Sequence, residues 1–297
     1  MEAHVGVLDG RVAVVTGAGA GLGRAEALAL AAAGATVVAG DVSESVHDVA
    51  DEIAAAGGSA RAVVGDVADR CTADALLAAA DEVGGAAVVV NNAGFCRDRM
   101  LFSMTDDEWD AVIRVHLRGH FLLSRGATAY WRDASKRAGR AVYGRLINTA
   151  SEAFLFGSVG QPNYAAAKAG IVALTVAAAR GCARYGVTAN AICPRARTAM
   201  TAGVFGASSD GGGVDPLAPE HVARFVSFLA SPAAAQINGQ VFVVHGSMVA
   251  LIAPPTVERR FDAAGSTWSD PELAGAVSGY FADHDPARMF AAEEIKG

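Results

Sequence analysis

From about residue 8 to about residue 245, short apolar runs alternate with longer segments whose apolar positions recur every three or four residues. The short β-branched runs predict buried strands, and the longer period predicts helices laid against them. Strands are expected at 11–16, 35–40, 60–65, 86–91, 145–150, 187–192 and 240–244. Helices are expected from residue 24 after the first strand, at 44–56, 72–83, from 105 through 121, around 164–184 and at 219–230. Thr105-Asp106-Asp107-Glu108 reads as a capping start with acidic residues in the first helical turn. The stretch 132–143 is basic and irregular, and predicts an exposed excursion before the fifth strand. Strand and helix alternating in this way imply an α/β fold, a doubly wound seven-stranded parallel sheet with helices on both faces.

Two segments break the pattern. Residues 201–216 contain Gly211-Gly212-Gly213 and little periodicity, and are expected to be mobile. Residues 253–297 begin after an unbroken domain of 1–252. Trp268, Tyr280, Phe281 and Phe290 predict that this extension packs on the core.

Composition narrows the function. Hydrophobic residues make up 52% of the 297, enough to fill a sheet covered on both faces. The net charge of −7 and the lack of a lysine- or arginine-rich tract argue against a nucleic-acid partner. The most apolar windows are broken by glycine or charge, which argues against a membrane span. Cys71, Cys96, Cys182 and Cys193 lack metal-ligand spacing and fit a reduced, cytoplasmic setting.

The chemistry sits at the ends of the predicted strands. The first strand runs into Thr16-Gly17-Ala18-Gly19-Ala20-Gly21-Leu22-Gly23 and then a helix. Glycines let the backbone approach a pyrophosphate, and the helix N-terminus favours negative charge. The register is Thr-Gly-x-x-x-Gly-x-Gly, because Leu22 and Arg24 stand where the commoner spacing needs glycine. Asp41 closes the second strand 24 positions after Gly17, where a carboxylate accepts ribose hydroxyls and repels a 2′-phosphate. No lysine or arginine stands at Ala18, Ala20, Val42 or Ser43, so NAD is expected over NADP. Tyr164 and Lys168 are four residues apart, one above the other on a helix, with Ser151 thirteen residues upstream. A phenol of pKa about 10 is a poor base at neutrality, and a neighbouring ammonium favours its ionised form. A serine hydroxyl donating to the substrate oxygen completes an apparatus that moves a proton on or off an alcohol. His116 and His120 stand at i, i+4, but Leu117 occupies the position of the metalloprotease glutamate and no third ligand is evident, so no metal is expected.

In these residues the chain resembles the short-chain dehydrogenase/reductases, over about 8–248. Those carrying the likeness are the glycine turn, Asp66-Val67, Asn91-Asn92-Ala93-Gly94, Ser151 and the Tyr164/Lys168 pair, in family order. Val115-His116-Leu117-Arg118-Gly119 and the run from Pro194 to Met200 look most like the 3-hydroxyacyl-CoA dehydrogenase part of peroxisomal multifunctional enzyme type 2. They also resemble actinobacterial 17β-hydroxysteroid dehydrogenase and 3-oxoacyl reductase relatives. The resemblance implies a Rossmann-type fold, a lid over the substrate at 201–216, and a catalytic set of Ser151, Tyr164 and Lys168. For the cofactor it implies Gly17, Gly21, Leu22, Gly23, Asp41, Asp66, Val67, Asn92, Ala93, Gly94, Tyr164, Lys168, Pro194 and Thr198. Asn91 is expected to hold neighbouring strands together. His116 departs from the asparagine common in the family and is carried as a catalytic candidate or a local brace. Arg195 departs from a frequent glycine; with Arg197 it either meets a CoA phosphate or pairs with local carboxylates. The expected activity is oxidation of a 3-hydroxyacyl thioester, possibly with a bulky or steroid-like acyl group. The rivals are oxidation of a free steroid, 3-oxoacyl-thioester reduction, and a non-catalytic dinucleotide-binding scaffold. The apolar face of the Tyr164 helix suggests a homo-oligomer, a tetramer or dimer.

Overall fold

The structure, a computed structural model, describes residues 6–201, 215–285 and 288–292. The expected lid falls largely on 202–214, outside the described residues. Contacts divide the chain into two units, 1–252 and 253–297.

The first unit is built on β1 (Val12–Thr16), β2 (Thr36–Asp41), β3 (Ser59–Val64), β4 (Ala86–Asn91), β5 (Gly144–Thr149), β6 (Val187–Pro194), β7 (Val241–His245) and β8 (Met248–Leu251). Their order in the sheet is β3-β2-β1-β4-β5-β6-β7-β8. The chain reverses direction of travel between β1 and β4, so the carboxyl ends of those strands open a crevice where ligands bind in such folds. β1, β4 and β5 are buried along their whole length, and β1 and β4 are accordingly almost continuously apolar.

The helices are α1 (Gly21–Ala32), α2 (Val46–Ala55), α3 (Arg70–Asp81), α4 (Asp106–Ile113), α5 (Gly119–Ala138), α6 (Ala153–Phe156), α7 (Pro162–Cys182) and α8 (Pro219–Ala230). One face of the sheet packs Val15, Val37, Val90 and Ile147 with Leu30 of α1 and Val226 of α8. The other packs Val14, Val38, Val89 and Leu146 with Leu76 of α3 and Leu122 and Trp131 of α5.

Three expectations need correction. The sheet has eight strands, because a turn through Gly246 at φ 51° folds β8 antiparallel onto β7, pairing Val243 with Ala250. The stretch 132–143 is an exposed excursion only in part, since α5 continues to Ala138 and 136–141 alone are exposed without a break. Trp131 is buried there and donates from Nε1 to Ala86 O at 2.6 Å, while Ser135 Oγ donates to Arg140 O at 2.8 Å. A basic outer face hid this buried stripe in the sequence. Finally, 162–185 is long and apolar enough to cross a membrane by length and composition, yet it buries Ala167, Ile171, Thr175 and Ala179 within the fold. That is the pattern of a core helix.

The second unit contains α9 (Asp270–Ala282), opened by a capping box between Ser269 and Glu272. Tyr280 is its hub: the ring meets Phe261 and His284 at centroid distances of 5.5 and 4.3 Å, and the hydroxyl donates to Glu258 at 2.9 Å.

Candidate active site

The glycine turn lies between β1 and α1 and is closed by its neighbours. A Cβ on Gly23 would stand 2.1 Å from Gly17 O, so the start of α1 approaches the turn as closely as backbone permits. Asp41 is tied into this turn: Oδ2 accepts from Gly19 N–H and Oδ1 from Ser43 N–H, both at 2.9 Å. Each oxygen keeps a lone pair for a ribose hydroxyl. Arg24, the basic residue of this segment, is held bidentately by Glu52 at 2.7 and 2.6 Å. Asn92 braces the other wall, its amide donating to Thr16 O at 3.1 Å, while Ala93 N–H meets Thr16 Oγ1 at 3.2 Å. Asp66 accepts from Ala68 N–H at 2.8 Å and from Arg114 at 2.5 Å; burial opposes its ionisation, but these bonds hold the carboxyl below its usual range. Val67 packs over Gly119. These residues fit a dinucleotide: a turn that only glycine fills, a free helix N-terminus, and a carboxylate at the ribose position.

The expected trio of Ser151, Tyr164 and Lys168 is brought together after β5 and at the start of α7. Lys168 is fully buried, donates from Nζ to Thr149 O at 2.6 Å, and lies 5.3 Å from the centroid of the Tyr164 ring. Burial pulls its ammonium down to about 8. Tyr164 is not lowered as expected. Burial pushes its phenol upward, the nearby Cys96 thiol adds to this, and a hydrogen bond with Ser151 opposes it. Desolvation of a phenolate is the largest of these effects. Ser151 Oγ accepts from Ala153 N–H at 3.2 Å, which leaves its O–H to donate toward the Tyr164 phenol or a substrate oxygen.

A five-residue π-helical turn, Arg114–Arg118, interrupts the helix between α4 and α5 and turns His116 inward. Such turns place side chains that regular helix would not. The imidazole meets the Tyr164 ring edge-on at 5.1 Å, and its Nε2 lies 3.0 Å from Phe95 N. Burial, and then the charge of Lys168, bring His116 down to about 3, so the ring is neutral at working pH. This favours the brace over the acid–base role. Asn163, which the sequence reading passed over, is fully buried. Its amide donates to Arg97 O and Glu108 O, both at 3.0 Å, and its Oδ1 accepts from Tyr164 N–H at 2.7 Å. Its place at the start of α7 was the available signal. Asn91 acts as expected, donating to Asn148 Oδ1 at 2.8 Å and Ser124 Oγ at 3.1 Å.

Residues 11–207 match the short chain dehydrogenase family. The chain belongs to that family. The hydroxyacyl-CoA dehydrogenase ChsB1 of Mycobacterium tuberculosis is 62% identical to it, over 97% of this chain and 94% of its own. A peroxisomal hydratase-dehydrogenase-epimerase of Saccharomyces cerevisiae is 46% identical over 38% of this chain and 12% of its own. A crystal structure of a short chain dehydrogenase from Mycobacterium avium superposes with a TM-score of 0.85 at 45% identity, covering 95% of this chain and 98% of that one. As a short chain dehydrogenase, this protein is an oxidoreductase that acts on CH–OH groups with a nicotinamide dinucleotide.

In this dehydrogenase the segment after β6 departs most from the expected pattern. Thr198 lies against the glycine turn, its Cγ2 3.4 Å from where a Gly21 Cβ would stand. Pro194 ends β6 at the crevice. Arg195 binds Glu152 through both nitrogens, and Arg197 reaches Asp215 at 3.1 Å. Of the two readings offered for these arginines, local pairing with carboxylates is the one the structure supports.

Proposed function

We propose that the protein oxidises the 3-hydroxyl of a 3-hydroxyacyl-CoA to the ketone with NAD, and that Ser151, Tyr164 and Lys168 carry the proton chemistry. The juxtaposition of a fully buried Lys168 Nζ 5.3 Å from the Tyr164 ring, with Ser151 bonded to that phenol, carries the reading. Ser151 donates to the substrate oxygen and Tyr164 takes its proton. Lys168 orients ribose hydroxyls and supplies positive charge beneath the phenol. When bound, the oxidised nicotinamide accepts the hydride. Gly17, Gly21, Leu22, Gly23, Asp41, Asp66, Val67, Asn92, Ala93, Gly94, Pro194 and Thr198 hold the dinucleotide, and His116 braces Tyr164. Acid–base assistance of this type contributes about 10²–10⁴-fold.

The thioester follows from ChsB1, a hydroxyacyl-CoA dehydrogenase whose similarity runs nearly the full length of this chain. NAD follows from Asp41, which would repel a 2′-phosphate. A homo-oligomer follows from Ala166, Ala169, Ala173 and Ala177, an exposed alanine stripe along α7.

A panel of 3-hydroxyacyl-CoAs, acyl-carrier thioesters and free hydroxysteroids, each with NAD and NADP, tests this by absorbance of the reduced nicotinamide. The 3-hydroxyacyl-CoAs with NAD are expected to turn over fastest. Preference for NADP by more than about tenfold would remove the Asp41 argument, and turnover of steroids alone would remove the thioester.

A further inference from the structure

We propose that Glu152 and Arg195 form a positioning clamp, which fixes the Ser151 hydroxyl relative to the segment after β6 that rests on the glycine turn. The proposal rests on Ser151 acting as the substrate-oxygen donor.

Glu152 directly follows Ser151, and Arg195 directly follows Pro194 at the end of β6. Arg195 Nε donates to Glu152 Oε2 at 2.7 Å and its terminal nitrogen to Oε1 at 2.8 Å. Both carboxylate oxygens are engaged by a planar fork, the geometry that gives guanidinium–carboxylate pairs their directionality. The side chains are only 18% and 13% exposed, so solvent screening is weak compared with a surface pair. The pair continues the sheet where the sheet stops. β5 and β6 pair up to Thr149 opposite Ile192, and Ala150 N–H then donates to Ile192 O at 2.7 Å. Beyond that bond the strands diverge into the two segments that frame the crevice, and Glu152 meets Arg195 across them.

Each half of the clamp is anchored behind. Arg195 N–H donates to Val244 O at 2.9 Å, tying it to β7, and Ala153 N–H fixes Ser151 Oγ. Farther along the same segment, Thr198 rests against Gly21. A chain of contacts thus runs from Ser151 through Glu152 and Arg195 toward the glycine turn. The pair is neutral overall and adds little net field at the reacting atoms; what it supplies is spacing. Displacement of a reacting group by about 1 Å costs up to about 10²-fold in rate.

Arg195→Lys keeps the charge and loses the fork, and Glu152→Gln keeps the shape and loses the charge. Glu152→Arg/Arg195→Glu restores the pair in reverse. The full-length protein is assayed with NAD and 3-hydroxyoctanoyl-CoA, protiated and deuterated at the carbinol carbon. Circular dichroism melts and NAD titrations by fluorescence accompany each variant. Each single variant is expected to lose about 10–10²-fold in kcat. Its NAD Kd should stay within about threefold of the parent, and its primary isotope effect on kcat should rise as hydride transfer becomes limiting. The reversed pair is expected to regain about tenfold over the weaker single variant. A kcat within about twofold of the parent in both single variants would overturn the clamp. So would losses that follow NAD affinity or melting temperature with an unchanged isotope effect. Ser151→Ala is run beside them. If it retains full turnover, the serine assignment fails and the clamp with it; if it is inactive while the clamp variants keep parental rates, only the clamp fails.

Discussion

At the scale of single residues, the site is set by which charges the protein tolerates burying. Lys168 is buried without a carboxylate partner among the described residues, and burial brings it down to about 8. Tyr164 moves the other way, its phenol raised first by desolvation. A raised phenol is protonated through neutrality, the form that donates a proton in ketone reduction; oxidation needs the phenolate. Oxidation measured as kcat/KM should therefore climb from neutrality toward about 8, where Lys168 gives up its proton, while reduction stays level over the same range. Initial rates in both directions from about pH 6 to about pH 8 check this. Oxidation that falls steadily as pH rises would contradict it.

At the scale of elements, the strands, most helices and the cofactor cradle were legible because their signals are local. The glycine turn, Asp41 and the i, i+4 spacing of Tyr164 and Lys168 each lie within one or two neighbouring elements. What the sequence hid depends on contacts between distant segments. The later turns of α5 are held to the sheet by Trp131 reaching Ala86, and the fate of Arg195 is set by Glu152, 43 residues away. The level of the Tyr164 phenol was misread for the same reason, since burial cannot be read from spacing. Gly94 shows another long-range constraint. A Cβ there would stand 2.1 Å from Cε1 of His116, which the π-helical turn delivers from 22 residues downstream. Gly94→Ala should destabilise by about 1–3 kcal/mol through overpacking. His116→Ala in the same chain should recover part of that loss, a non-additivity that denaturant melts would resolve. An unchanged Gly94→Ala melt would mean the imidazole is not wedged there.

At the scale of the whole molecule, stability carries a pH dependence that the site does not explain. Glu26 lies on α1 between Leu22 and Leu30, fully buried, with neither carboxylate oxygen hydrogen-bonded among the described residues. Burial raises it from 4.5 to about 8. Below pH 4.5 both folded and unfolded chains hold this proton, and its contribution to stability is complete. Between 4.5 and about 8 the unfolded carboxyl has ionised and the folded one has not, so stability falls as pH rises. Glu26→Gln should thus gain over the parent progressively across that window in urea melts; a constant difference would contradict the buried acid. Folding and cofactor binding also set the background for the measurement closest to the central claim, that Tyr164 is the proton acceptor beside a bound nicotinamide. Tyr164→Phe removes only the hydroxyl, so the helix and the Lys168 bond to Thr149 should persist. Turnover of 3-hydroxyoctanoyl-CoA should fall by about 10²-fold or more, while NAD binds with nearly parental affinity by calorimetry. Full turnover in that variant would contradict the account.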